Sequence, residues 1–68
     1  MQRFEVSGMT CGHCVRAVTE AIQSVDATAR VEVDLTAGSV TVRDGTASPD
    51  QVSQAIEAEG YRARLLAA

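Results

Sequence analysis

Between residues 29 and 35 every second side chain is apolar: Val31, Val33 and Leu35 alternate with Arg30, Glu32 and Asp34. A period of two suits a strand with one face on a core and the other in water. Thr36-Ala37-Gly38-Ser39 follows as a short turn with a glycine available for positive φ. Val40-Thr41-Val42-Arg43 resumes the alternation, so the two runs are predicted to form a hairpin.

On either side of the hairpin the period changes. Upstream, Arg3-Phe4-Glu5-Val6-Ser7 alternates and Gly8 breaks it. From Cys14, Val15, Val18, Ile22 and Val25 fall on one helical stripe with Ala21 beside them, while Arg16, Glu20 and Gln23 face outward. Downstream, Asp44-Gly45 ends the hairpin and a second helix is signalled. Ser48 is its predicted N-cap, Pro49 its first position and Gln51 the partner in a capping box. Val52, Ala55 and Ile56 form its expected buried stripe, and Gly60 stands where a glycine stops a helix. Tyr61 to Leu65 alternates as a final strand, and Leu66-Ala67-Ala68 is expected to fray.

The order is β, α, β, β, α, β. The expected class is α+β: a ferredoxin-like βαββαβ sandwich, with a four-stranded antiparallel sheet and both helices on one face. The 68 residues suffice for one domain, 1–68, with a thin core. At 46% hydrophobic residues the chain has more apolar content than a disordered one.

Composition excludes several functions. Six arginines, no lysine and nine acids give a net charge of −3, with the basic residues dispersed. Nucleic-acid binding wants a clustered basic face, and one Tyr, one Phe and no Trp provide no stacking platform. No apolar run approaches the roughly 20 residues that span a bilayer, so membrane insertion is not expected. The N-terminus lacks the apolar core of a signal peptide, and a cytoplasmic location is the resulting expectation.

The chemistry lies in Gly8-Met9-Thr10-Cys11-Gly12-His13-Cys14, between the first strand and the first helix. Two cysteines with two residues between them can turn both sulfurs toward one point. A helix start favours anions through unpaired N–H groups and the positive end of its dipole. Such placement commonly lowers a thiol pKa from about 8.5, and the thiolate is the form that takes metal. A structural zinc site needs four protein ligands, whereas this chain offers two thiols and one imidazole. Hard cations want a cluster of carboxylates, which the motif lacks. Soft thiolates at low coordination number select Cu(I), although ligand softness does not separate it from Ag(I) or Hg(II).

With these residues in place, the chain resembles the heavy-metal-associated domain family, above all its free-standing bacterial copper chaperones. The seven-residue motif carries the resemblance, with Glu59-Gly60-Tyr61 adding to it. The resemblance implies Cu(I) held linearly by Cys11 and Cys14. It implies delivery by ligand exchange to a copper-transporting P-type ATPase or a copper-responsive regulator. It further implies that Met9 sits in the core beneath the loop and Tyr61 near the metal. Thr10 and Gly12, within the motif, join His13 as modulating residues.

Other readings remain beside this one. Cys-Gly-His-Cys is also the active-site tetrapeptide of disulfide isomerases, but no Trp precedes it and the one Pro opens a helix. A site for turnover would need an acid–base constellation, and the single His and dispersed acids supply none, so no enzyme is expected. A mercury- or zinc-handling domain, or a detached transporter domain, would share the fold. His13 is a third ligand, a tuner of the thiols or an exposed bystander, and its role in a copper-bridged dimer of an otherwise monomeric chain is a further expectation. Met9 reads as core filler rather than ligand, Tyr61 as a half-buried strand aromatic, and Arg62 and Arg64 as a solvated strand face.

Overall fold

The computed structural model describes residues 1–10 and 12–67. Six elements follow the expected order: β1 (Gln2–Ser7), α1 (Gly12–Val25), β2 (Arg30–Asp34), β3 (Ser39–Arg43), α2 (Pro49–Ala58) and β4 (Arg62–Ala67). The strands form one antiparallel sheet in the order β2-β3-β1-β4.

Register carries the alternation through the sheet. Phe4 faces Val40 and Leu65 across its two neighbours, Val6 faces Ala63, and Val31 and Val33 face Val42 and Val40. One sheet face is therefore apolar, and Val18 and Ile22 of α1 with Val52 and Ile56 of α2 close over it as a single core. Phe4, Val18, Ile22, Val40, Val52 and Ile56 are completely buried. The opposite face carries exposed ion pairs, Arg64–Glu5 at 3.3 Å and Arg43–Glu32 at 3.4 Å. Such pairs contribute little in water.

The second helix begins as its sequence dictates. Ser48 Oγ accepts from the Gln51 N–H at 3.2 Å, and Gln51 Oε1 accepts from the Ser48 N–H at 2.9 Å. Gly60 lies past its end with φ at +94°.

Four local expectations are corrected. The first helix starts at Gly12, two residues before Cys14. Val25 and Leu35, placed inward by period, are 47% and 41% exposed, because each lies at an element end where the opposing layer no longer covers it. Ala55 is half-buried beside the fully buried Val52 and Ile56. Leu66 and Ala67 belong to β4 instead of fraying, since a register shift between Arg3 and Phe4 lets Ala67 pair with Arg3; Ala68, the third residue of that expected tail, lies outside the described residues.

One buried charge organises the pole far from the cysteine motif. Asp26, 4% exposed, follows α1. Its carboxylate accepts from the N–H groups of Ala47 at 2.8 Å and Thr46 at 2.6 Å, and from the Thr28 hydroxyl at 3.0 Å. The Ala47 N–H bond leads in holding its pKa below the ordinary value of 3.8; burial opposes this, and the Thr28 and Thr46 bonds reinforce it. The Ala47 carbonyl in turn accepts from Gln2 Nε2 at 2.9 Å. The chain entering α2 is thus fastened from both sides.

Candidate metal centre

The loop leaving β1 turns at Gly8, whose φ of +97° is a conformation side chains rarely adopt. The Tyr61 ring lies over this turn, with Cδ1 3.3 Å from where a Cβ on Gly8 would stand. Met9 and Tyr61 are both half-buried and pack against the core. Met9 thereby anchors the loop from below and Tyr61 from the side.

Thr10 follows, exposed, and its Oγ1 lies 3.9 Å from Cys14 Sγ. Cys11 lies outside the described residues, so the geometry of the cysteine pair is described from Cys14 alone. Cys14 is the third residue of α1 and is half-buried. The first turn of α1 holds no acidic residue, so nothing there competes with a thiolate for the helix N-terminus.

Gly12 and His13 are exposed. A Cβ at Gly12 would meet nothing within 4 Å. His13 lines an open groove with Arg16, Glu20 and Glu59, on the solvent side of α1. Neighbouring helical positions point about 100° apart, so His13 and Cys14 leave the helix in different directions. Among the described residues, no three His, Cys, Asp or Glu side chains converge into a metal cluster. None of the described helices is long and apolar enough to cross a membrane.

Sequence reasoning singled out every residue just placed around the loop. It passed over Asp26, whose partners Thr46 and Ala47 are 20 and 21 residues away. The one local signal was Thr28, two residues on, whose hydroxyl bonds the carboxylate.

A βαββαβ layer with a cysteine in the first turn of the helix after β1 defines a small α+β domain that presents a cysteine sulfur at the mouth of a helix. Residues 3–62 match the heavy-metal-associated domain, and the chain belongs to that family. It is 41% identical over 60 residues to the copper chaperone CopZ of Staphylococcus aureus, spanning 85% of this chain and 88% of that protein. It is 39% identical over 61 residues to part of the copper-exporting P-type ATPase of Vibrio cholerae, spanning 90% of this chain but only 7% of the ATPase. Among solved structures, the copper chaperone Atx1 from Synechocystis PCC6803 superposes with a TM-score of 0.85 at 35% identity, over 91% of this chain and 97% of the other.

Proposed function

We propose that this chain is a single-domain copper(I) carrier. It holds the ion between the thiolates of Cys11 and Cys14 and performs no turnover. The observation that carries this is the position of Cys14, half-buried in an acid-free first helical turn beside a loop that Met9 and Tyr61 anchor.

Binding converts two thiols to thiolates and releases their protons. With two sulfurs and, among the described residues, no cluster of three further ligands, the ion stays open to an incoming thiolate, which suits transfer rather than storage. The receiving group is a second cysteine pair, in a copper-transporting P-type ATPase or a copper-responsive regulator. Likeness to a segment of a copper-exporting ATPase supports the first, since donor and acceptor of one fold exchange the ion with a small free-energy change. Thr10, Gly12, His13, Met9 and Tyr61 modulate the site without ligating. The carrier works in the cytoplasm, monomeric without metal, and two copies sharing copper form a bridged dimer.

The test is a competition titration of the reduced protein and its Cys11→Ser/Cys14→Ser variant with Cu(I), Zn²⁺ and Hg²⁺. The native chain should retain Cu(I) against a strong chelator, and the variant should fold normally and retain none. Undiminished retention by the variant would overturn the assignment. Insulin-reductase activity that depended on the two cysteines would favour the thiol–disulfide reading instead.

A further inference from the structure

Asp44-Gly45 is the one step in the chain where Asp precedes Gly, and the chain contains no Asn. That step has a covalent chemistry of its own. A backbone nitrogen can attack the carboxyl carbon of the Asp before it and close a succinimide ring. Glycine permits the approach, because it carries no Cβ and reaches backbone conformations that other residues avoid.

The fold leaves this step open. Arg43 is the last residue of β3 to pair with β2, and Asp44 turns away from the ladder with φ at +58°. The Asp44–Arg30 ion pair is 3.5 Å long and both side chains are largely exposed, so it restrains the carboxylate weakly. Among the described residues the Gly45 N–H has no hydrogen-bond acceptor, whereas the next two N–H groups are both held by Asp26. The other three aspartates are closed. Asp26 is buried with its carboxylate bonded, and Asp34 Oδ1 accepts from the Ala37 N–H at 3.1 Å. Asp50 lies in α2, where the following N–H, that of Gln51, donates to Ser48 Oγ. Each of the three also precedes a residue with a Cβ: Ala27, Leu35 and Gln51.

We propose that Asp44 isomerises spontaneously to isoaspartate in the folded chain, and that this modification unfastens Asp26. The Gly45 nitrogen bonds to Asp44 Cγ, the Cγ–OH bond of the protonated carboxyl breaks, and water leaves with the amide proton. Water then adds at the Asp44 backbone carbonyl and breaks its bond to the Gly45 nitrogen, which takes a proton back. Addition at Cγ instead regenerates Asp44. The water lost equals the water gained, so the mass is unchanged and nothing is oxidised or reduced. The backbone now runs through Asp44 Cβ and Cγ and is one atom longer.

The surroundings turn that extra atom into a loss of stability. The Asp44 backbone carbonyl, which accepts from Thr28 Oγ1 at 3.3 Å, becomes a free carboxylate. Gly45 cannot take up the added length by moving inward, since even a Cβ on it would collide with the Asp26 carboxylate. Thr46 and Ala47, whose N–H groups bond that carboxylate at 2.6 and 2.8 Å, are displaced instead. Those bonds fasten the entry to α2, at the pole away from the cysteine loop.

The inference is independent of the metal site, and its test ages the reduced, metal-free native chain for several weeks at pH 7.4 and 37 °C. A protease that cuts before Asp but not before isoaspartate should lose its cut at Asp44 and keep those at Asp26, Asp34 and Asp50, with no change in mass. An isoaspartate methyltransferase should transfer labelled methyl groups from S-adenosylmethionine to the aged native chain and none to aged Asp44→Glu. Asp44→Asn closes the same ring by losing ammonia, without needing a protonated carboxyl, and should convert faster. The isomerised fraction, separated by chromatography, should unfold at a lower urea concentration, lose hydrogen-exchange protection at Thr46 and Ala47, and match the native chain in Cu(I) retention. Isoaspartate that forms only in the urea-unfolded chain, or an Asp44→Asn variant that stays intact over the same weeks, would overturn the proposal, because the folded turn would then block ring closure. An isomerised fraction as stable as the native chain would overturn the link to Asp26.

Discussion

The ring of Tyr61 covers the backbone of Gly8, joining the start of β4 to the turn that opens the cysteine loop. A side chain at Gly8 would meet the ring and would adopt the left-handed conformation at φ +97°. That strain costs roughly 1–2 kcal/mol for a residue with a Cβ. Gly8→Ala should therefore lower stability by about that amount and displace Tyr61, seen as a change in tyrosine fluorescence. In a Tyr61→Ala background the ring contact is gone, and Gly8→Ala should cost the backbone strain alone. Equal stability of Gly8→Ala and the native chain by urea unfolding would contradict this.

The other pole predicts a pH dependence. Asp26 is held below 3.8, first by the Ala47 N–H, so the folded chain prefers the ionised carboxylate more than the unfolded chain does. Near that pH the unfolded state binds more protons, so stability rises with pH. The contribution is fully present above about pH 5 and is lost as pH falls through the depressed folded value. Asp26→Asn should lower the thermal midpoint at pH 7 and flatten the acid limb of the stability profile below pH 4. A variant as stable as the native chain at pH 7 would show that these bonds do not matter.

Two glycines should respond oppositely to alanine. At Gly45 an added Cβ would collide with the Asp26 carboxylate, so Gly45→Ala should destabilise by about 1–3 kcal/mol through overpacking. At Gly12 a Cβ meets open space in the first turn of a helix, so Gly12→Ala should stabilise by about 0.4–1 kcal/mol. Chemical denaturation of both variants checks the contrast. Cu(I) affinity of Gly12→Ala then shows separately whether the glycine matters to the metal.

The capping box yields a fourth expectation. Ser48→Ala removes the acceptor for the Gln51 N–H and should cost about 0.5–2 kcal/mol. Because α2 supplies Val52 and Ile56 to the core, the loss should appear in global unfolding, measured by circular dichroism in urea.

Alternating and helical periods in the sequence by themselves determined the six elements, their order and the inner face of the sheet. They succeed because burial of one face imposes the period on local sequence. The capping box was legible for the same local reason: Ser48 and Gln51 are three residues apart and bond each other. The cysteine loop was legible as a motif, because the residues that make it are contiguous. Tertiary structure decided the rest. Leu66 and Ala67 join β4 because β1 offers a bulged register to pair with, which the run of two leucines does not encode. Val25 and Leu35 are exposed because the layers end before they do. Asp26 is a buried staple only because folding brings Thr46 and Ala47 to it, and its partners lie too far along the chain for any local pattern to reveal.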